Sequence, residues 1–204
     1  MNRVRICGEK KLYDLILEAA SQAISEARIT SRDINLILDY STWSSESSQG
    51  LSFAHRLSVD LGAETSMILS FKVGGCAGLH VAIKTALGWM ATDENIKTVL
   101  LVTGDAAPEG NRSLFPVTIH GDAGSAVILR REATEGPLLL EVKTMTLGHL
   151  QNAITMAKTN GHPDIVVDAL CMEREVMPVY FLNMLAVINQ ALAESCLNLK
   201  DIDH

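Results

Sequence analysis

The chain has 204 residues, 48% of them hydrophobic, and a formal net charge of −7. That length supports one ample core or two domains, and the acidic balance argues against nucleic acid as a partner, because binding phosphates needs a basic surface. No unbroken apolar run approaches the roughly 18 residues of a membrane span, and Met1-Asn2-Arg3-Val4-Arg5-Ile6-Cys7-Gly8-Glu9 lacks the apolar stretch of a signal peptide, so no membrane association is expected.

Leu12, Leu15, Ile16, Ala19, Ala20, Ala23, Ile24 and Ala27 recur at helical spacing and predict a core-facing helix. The polar link Thr30-Ser31-Arg32-Asp33 leads to a short buried strand over 34–38. A serine-rich surface loop carrying Trp43 follows over 41–50. Leu51, Ala54, Leu57 and Leu61 predict a second helix ending at Gly62. The apolar stretch 67–73 predicts a strand, Gly74-Gly75 a turn, and Leu79, Ala82, Ile83, Ala86, Leu87 and Met90 a third helix running to about Met90. Next come a strand at 99–102, a loop over 105–116, and strands at 125–129 and 138–145. Residues 148–163 are polar and poorly periodic, which predicts loop or weak helix. A strand at 165–170 then precedes a helix with Phe181, Met184, Leu185, Ile188 and Leu192 on one face. Such alternation predicts an α/β protein with helices covering a sheet.

A weak internal repeat runs through this order. The stretch from Ala23 to Ile34 matches that from Ala191 to Ile202. Each copy is the tail of an amphipathic helix, a polar link, and Asp-Ile opening a strand. The flanking helices agree in phase, which predicts a duplicated βα architecture. The first strand continues through Leu36, Ile37 and Leu38, whereas the second copy reaches only His204. The expectation is a nearly complete first half, residues 1–137, and a truncated second half, residues 138–204.

Cys76 stands at the junction of strand, glycine turn and helix. That arrangement lifts a nucleophile onto a sharp elbow at a helix N-terminus. There the helix dipole and unpaired backbone N–H groups favour a thiolate. The sulfur is then expected to face a cavity. On the local pattern a buried, inert cysteine stays open as the alternative, since cysteine is among the most buried residue types. Cys7, Cys171 and Cys196 have no elbow and read as packing or surface thiols. The absence of CxxC spacing argues against a zinc site or disulfide framework and fits a reducing, cytoplasmic setting. His80, one turn beyond Cys76, reads as an ordinary helical histidine. Asp105 and Asp122 read as hydrogen-bonding residues at a strand end and a tight turn. His55, His149 and His162 lack metal-ligand spacing, so no metal is expected, and Trp43 and Trp89 read as packing residues.

The elbow Val73-Gly74-Gly75-Cys76-Ala77-Gly78-Leu79 resembles that of the thiolase-fold condensing enzymes, especially the type III β-ketoacyl-acyl-carrier-protein synthases. Val99-Leu100-Leu101-Val102-Thr103-Gly104-Asp105 is similar to the family strand after the nucleophile helix. Gly121-Asp122-Ala123-Gly124-Ser125-Ala126-Val127 looks like the family's Gly-Asp-x-Gly-Ala-Ala segment. The resemblance implies a thiolase-like αβαβα fold of two similar halves, usually a homodimer, with the strand over 67–73 pairing across the two-fold. The family's opening strand would precede Met1. Its catalytic histidine, in a His-Gln-Ala-Asn context, and its asparagine and glycine-rich loop would lie beyond His204, which matches Leu36 and is not assigned the histidine's role.

The implied chemistry is acyl transfer through a thioester at Cys76, with acyl-coenzyme A as substrate and no cofactor. Condensation with a malonyl group on acyl carrier protein would follow, in fatty acid or polyketide biosynthesis, using residues absent from this chain. The backbone N–H of Cys76 would supply one oxyanion donor. Arg112 matches an arginine near the coenzyme A entrance. The alternative is a non-catalytic or fragmentary subunit that partners a complete synthase chain.

Overall fold

The structure, a computed structural model, describes residues 6–7, 11–42, 52–71, 75–106, 112–114, 118–132, 135–159 and 162–202. Trp43, most of the serine-rich loop, Gly74 and His204 lie outside the described residues. The chain divides into two compact units, one of Met1–Pro108 with His120–Gly136, the other of Glu109–Ile119 with Pro137–His204.

The first unit is a sheet between helices. Its strands are β1 (Leu36–Asp39), β2 (Met67–Ser70), β3 (Thr98–Asp105) and β6 (Ala123–Arg130), in the order β2-β1-β3-β6. β1 is parallel to both β2 and β3, and β6 closes the sheet antiparallel to β3. Two helices, α1 (Leu12–Glu26) and α2 (Ala54–Leu61), share one hydrophobic cluster with Ile37, Leu100 and Val102. The third, α3 (Gly78–Thr92), contributes Ala82, Ala86 and Met90 to a second cluster with Leu36, Leu38, Val99 and Leu101. Alternate residues of β1 and β3 therefore point into different clusters, as the two-residue period of a strand requires. Both strands are buried on both faces, which is why they read as continuous apolar runs. The chain moves one way from β1 to β2 through α2, then back across β1 to β3 through α3. Reversing direction with right-handed crossovers puts the two helices on opposite faces.

α1 buries Leu12, Tyr13, Ile16, Ala20 and Ile24, a stripe at helical spacing. It lies against the sheet at a pair of facing glycines, Gly104 on β3 and Gly124 on β6. A Cβ on Gly104 would collide with the Ile16 side chain, and one on Gly124 would sit 2.5 Å from the Leu15 carbonyl oxygen and 2.7 Å from the Ile16 nitrogen. Only glycine lets helix backbone come this close to strand backbone. The Asp122 carboxylate, two residues before Gly124, accepts the backbone N–H of Cys7 at 2.8 Å and so has the structural role expected of it.

The two copies of the repeat adopt the same conformation. After α1, the N–H of Ile29 bonds the Ile24 carbonyl and that of Arg28 bonds Ser25, with Arg28 at φ 52°. Leu197 to Leu192 and Cys196 to Ala193 repeat this pattern, with Cys196 at φ 56°. Both are Schellman endings with a non-glycine residue in the left-handed position. Each is followed by a short 3-10 turn, Ser31–Asp33 or Leu199–Asp201. There Asp33 or Asp201 accepts the N–H of Thr30 or Asn198, each at 2.7 Å.

In the second unit β4 (Ser113–Leu114) pairs with β5 (Thr118–Ile119), and β7 (Ile154–Thr159) with β8 (His162–Val167), both antiparallel. The residues over 138–145 form no strand, contrary to expectation, and the apolar Leu138 and Leu140 are exposed. A run of leucines gives the segment a strand-like pattern, but without a partner it has no ladder to join. The 148–163 region is also corrected, because it holds β7 and the start of β8 rather than loop or weak helix. The anticipated strand at 165–170 begins earlier and gives way to helix at Ala169.

That helix comprises α4 (Ala169–Cys171), a π turn (Met172–Val176) and α5 (Met177–Glu194). Pro178 sits in the first turn of α5. It has no N–H to give, and the wider turn before it accommodates the ring. Asp168 caps the start by accepting the Cys171 N–H at 2.9 Å. Lys143 pairs with Glu194 at the other end. Among the described residues, Ala169–Glu194 is the one helix long and apolar enough to cross a membrane by length and composition. Glu173, Arg174, Glu175, Asn183, Asn189 and Gln190 interrupt its apolar run, so it contains no unbroken stretch of that length. Tyr180, Phe181, Leu182 and Leu185 on it are all exposed.

Candidate active site

The parallel strands β1, β2 and β3 end on one edge of the sheet, the edge where open α/β sheets bind ligands. β2 leads to the elbow. It stops at Ser70, short of the anticipated Val73, and residues 72–74 lie outside the described part. Gly75, Cys76 and Ala77 form a 3-10 turn, and α3 starts at Gly78. Gly75 has φ 48°, a left-handed conformation that glycine adopts without steric penalty. Gly78 is buried at the first turn of α3. Cys76 thus stands at the head of a 15-residue helix, where free N–H groups and the dipole favour an anion.

Cys76 is exposed rather than buried, so it is not the packed cysteine that the local pattern left open. In the second unit an apolar groove is lined by Met145, Leu147, Tyr180, Met184 and Ile188. His80 is exposed on α3. Cys196 is exposed, and Cys7 and Cys171 are half-buried. Burial pushes the Cys171 thiol up, and the carboxylates of Glu175 and Asp168 add to the shift. Arg112 is half-buried, immediately before β4, and falls in the other unit from Cys76. No group of three or more His, Cys, Asp or Glu able to hold a metal ion occurs among the described residues.

Around the strand ends lies a polar network of which the sequence points only to Asp105, expected as a hydrogen-bonding residue at a strand end. Asp39, the last residue of β1, is 3% exposed. Its carboxylate accepts the Ser41 N–H (3.0 Å) and the hydroxyls of Ser41 (2.6 Å), Ser52 (2.7 Å) and Ser70 (2.8 Å). Asp105, at the end of β3, accepts the Thr42 N–H and the Thr103 hydroxyl, each at 2.8 Å. The Ser41 hydroxyl accepts the Gly104 N–H at 3.0 Å. Thr42 in turn donates to the Gly75 carbonyl at 3.4 Å, one residue before the cysteine. Tyr40, between them, is 8% exposed. Burial pushes its hydroxyl pKa up, with Asp105 adding to the shift and a hydrogen bond with Ser125 opposing it. An Asp-x-Ser at the end of an apolar strand is the available signal, hidden because Ser41 reads as the start of a surface loop.

Residues 73–148 match the family model of 3-oxoacyl-[acyl-carrier-protein] synthase III. The fold is that of the thiolase-like condensing enzymes. Among solved structures, the acyltransferase ChlB3 is similar over 98% of this chain and 62% of its own, with TM-score 0.79 and 22% identity. The tetronic acid condensing enzyme AbyA1 is similar over 95% of this chain and 62% of its own, with TM-score 0.76 and 20% identity. The 3-oxoacyl-[acyl-carrier-protein] synthase III of Aquifex aeolicus VF5 is similar over 98% of this chain and 61% of its own, with TM-score 0.77 and 19% identity. The chain thus spans about three fifths of the length of these structures. No curated protein matches it. The matched stretch contains the elbow, α3, β3 and β6, so the motifs carrying the resemblance coincide with the elements that build this edge.

Proposed function

We propose that the chain carries the acyl-accepting part of a condensing enzyme of the 3-oxoacyl-[acyl-carrier-protein] synthase III type. The observation that carries this reading is an exposed Cys76 at the head of α3, inside the stretch that matches the family model. The Cys76 thiolate attacks the carbonyl carbon of an acyl-coenzyme A. A new C–S bond forms, the bond to the coenzyme A sulfur breaks, and coenzyme A leaves as a thiolate that takes up a proton. The Cys76 N–H stabilises the oxyanion of the tetrahedral intermediate. Condensation with a malonyl group on acyl carrier protein follows where a histidine and an asparagine are supplied. A cytoplasmic setting suits both substrates.

The test is incubation with a short acyl-coenzyme A followed by peptide mass spectrometry, then addition of malonyl acyl carrier protein. The expected result is a thioester on Cys76 and no ketoacyl product from this polypeptide alone. Absence of any acyl adduct on Cys76 refutes the reading. A second reading, a non-catalytic subunit partnering a complete synthase, draws on the exposed apolar side chains of α5. It predicts no adduct and stable association with such a synthase.

We propose also that the protein associates through β2. Among the described residues it is an edge strand of the first unit's sheet, and Met67, Ile68 and Leu69 remain partly exposed there. An open apolar edge invites pairing with a second copy or a complementary chain. Ile68→Lys is expected to dissociate or precipitate the assembly, read by light scattering. A wild-type protein that stays monomeric at tens of micromolar, roughly where a weak dimer persists, contradicts this assembly.

A further inference from the structure

We infer that Asp39 is a positioning residue for Cys76, its buried carboxylate anchoring the strand that delivers the elbow. The inference rests on the reading of Cys76 as the acyl-accepting thiol. Asp39 holds the exit of β2 twice: its backbone carbonyl accepts the Phe71 N–H at 3.0 Å, and its carboxylate accepts the Ser70 hydroxyl at 2.8 Å. Through Ser41 the same carboxylate fixes the chain leaving β1, whose next residue, Thr42, reaches the Gly75 carbonyl at 3.4 Å. The segment before Cys76 is therefore tied at both ends, at Ser70 and at Gly75, to residues that Asp39 organises. The other arm of the network differs. Ser52 donates to Asp39 at 2.7 Å and accepts the Ala54 N–H at 3.0 Å, so it holds the start of α2 and, among the described residues, has no bond to the elbow.

Among the described residues, four contacts reach this carboxylate and all come from donors, and it is 3% exposed. Removing it leaves three hydroxyls and one N–H to find new partners, and hydrogen bonds to charged groups are the costly ones to lose. A nucleophile displaced by as little as about 1 Å loses much of its efficiency, so the effect should register at Cys76 before the fold fails.

The experiment compares alkylation of Cys76 with that of Cys196 in the same molecule, by mass spectrometry after brief iodoacetamide treatment, alongside acylation by acyl-coenzyme A. The variants are Asp39→Ala, Ser70→Ala, Ser70→Thr and Ser52→Ala. The Cys76 to Cys196 ratio and the acylation rate should fall about tenfold in Asp39→Ala and about threefold in Ser70→Ala. Ser70→Thr keeps the hydroxyl and should restore the wild-type ratio, and Ser52→Ala should leave it within about twofold, as expected of an arm that does not touch the elbow. Equal losses in Ser70→Ala and Ser52→Ala, failure of Ser70→Thr to rescue, or an unchanged Asp39→Ala overturns the inference. Should Asp39→Ala not fold, the three serine variants decide it. If wild-type Cys76 accepts no acyl group, the functional reading fails, while the alkylation ratios still judge Asp39.

Discussion

Iodoacetamide at neutral pH should label Cys76 about fivefold faster than Cys196 and faster still than Cys7 or Cys171. Cys76 and Cys196 are both exposed, so access does not separate them. The difference is the backbone: Cys76 stands at the head of α3, whereas Cys196 follows the C-terminal end of α5. Charge placed at an exposed helix terminus is worth about 0.5 kcal/mol, with opposite sign at the two ends, and the difference of about 1 kcal/mol corresponds to roughly a fivefold rate. Cys7 and Cys171 are half-buried. Cys171 is slowed further because burial and the carboxylates of Glu175 and Asp168 raise its pKa, so its labelling should rise steeply only at alkaline pH. Cys76→Ala should remove the fast phase entirely. Equal labelling of Cys76 and Cys196 would show that the helix start confers no activation, and the acyl-transfer reading would lose its chemical basis.

Gly124→Ala should destabilise the protein by about 2 kcal/mol and lower its Tm by about 4–8 °C. The added Cβ would meet the Leu15 carbonyl carbon at 2.6 Å and its oxygen at 2.5 Å. Those are backbone atoms of α1 and cannot rotate away, so the helix must lift from the sheet and loosen Ile16, which is 1% exposed. Gly88→Ala is the control. That glycine is inside α3 with nothing within 4 Å of where a Cβ would sit, and alanine there should be neutral or stabilising by about 0.5–1 kcal/mol. Thermal melts of both variants test the argument, and a Gly124→Ala protein that melts with wild type contradicts the close helix–strand approach. Gly124, the second glycine of the Gly-Asp-x-Gly segment, thus has a packing reason apart from any chemistry.

The repeat shows how far local sequence reaches. Arg28 and Cys196 share nothing chemically, yet both occupy the left-handed position of a Schellman ending. Each is set there by the helix before it and the Asp-capped turn after it. Such a motif closes within about ten residues, and a short window contains all its causes. The β7–β8 hairpin is legible in principle for the same reason, because Asn160-Gly161 between strand-like residues is a strong two-residue hairpin signal. The polarity of the surrounding segment obscures it.

The sequence by itself determined α1, α2, α3, the helix beyond Ala169 and the cysteine between a strand and α3. Each follows from spacing along the chain, and a spacing of three or four residues is enforced by contacts within the same turn. Only the tertiary structure decided that β6 runs antiparallel beside β3, that Gly104 faces Gly124 beneath α1, and that the leucines over 138–145 join no ladder. It alone brought Ser52 and Ser70 onto Asp39, across 13 and 31 residues of sequence. Pairings of that kind depend on which strand ends share an edge, and sheet order is settled by crossover handedness and burial of whole faces rather than by any local pattern.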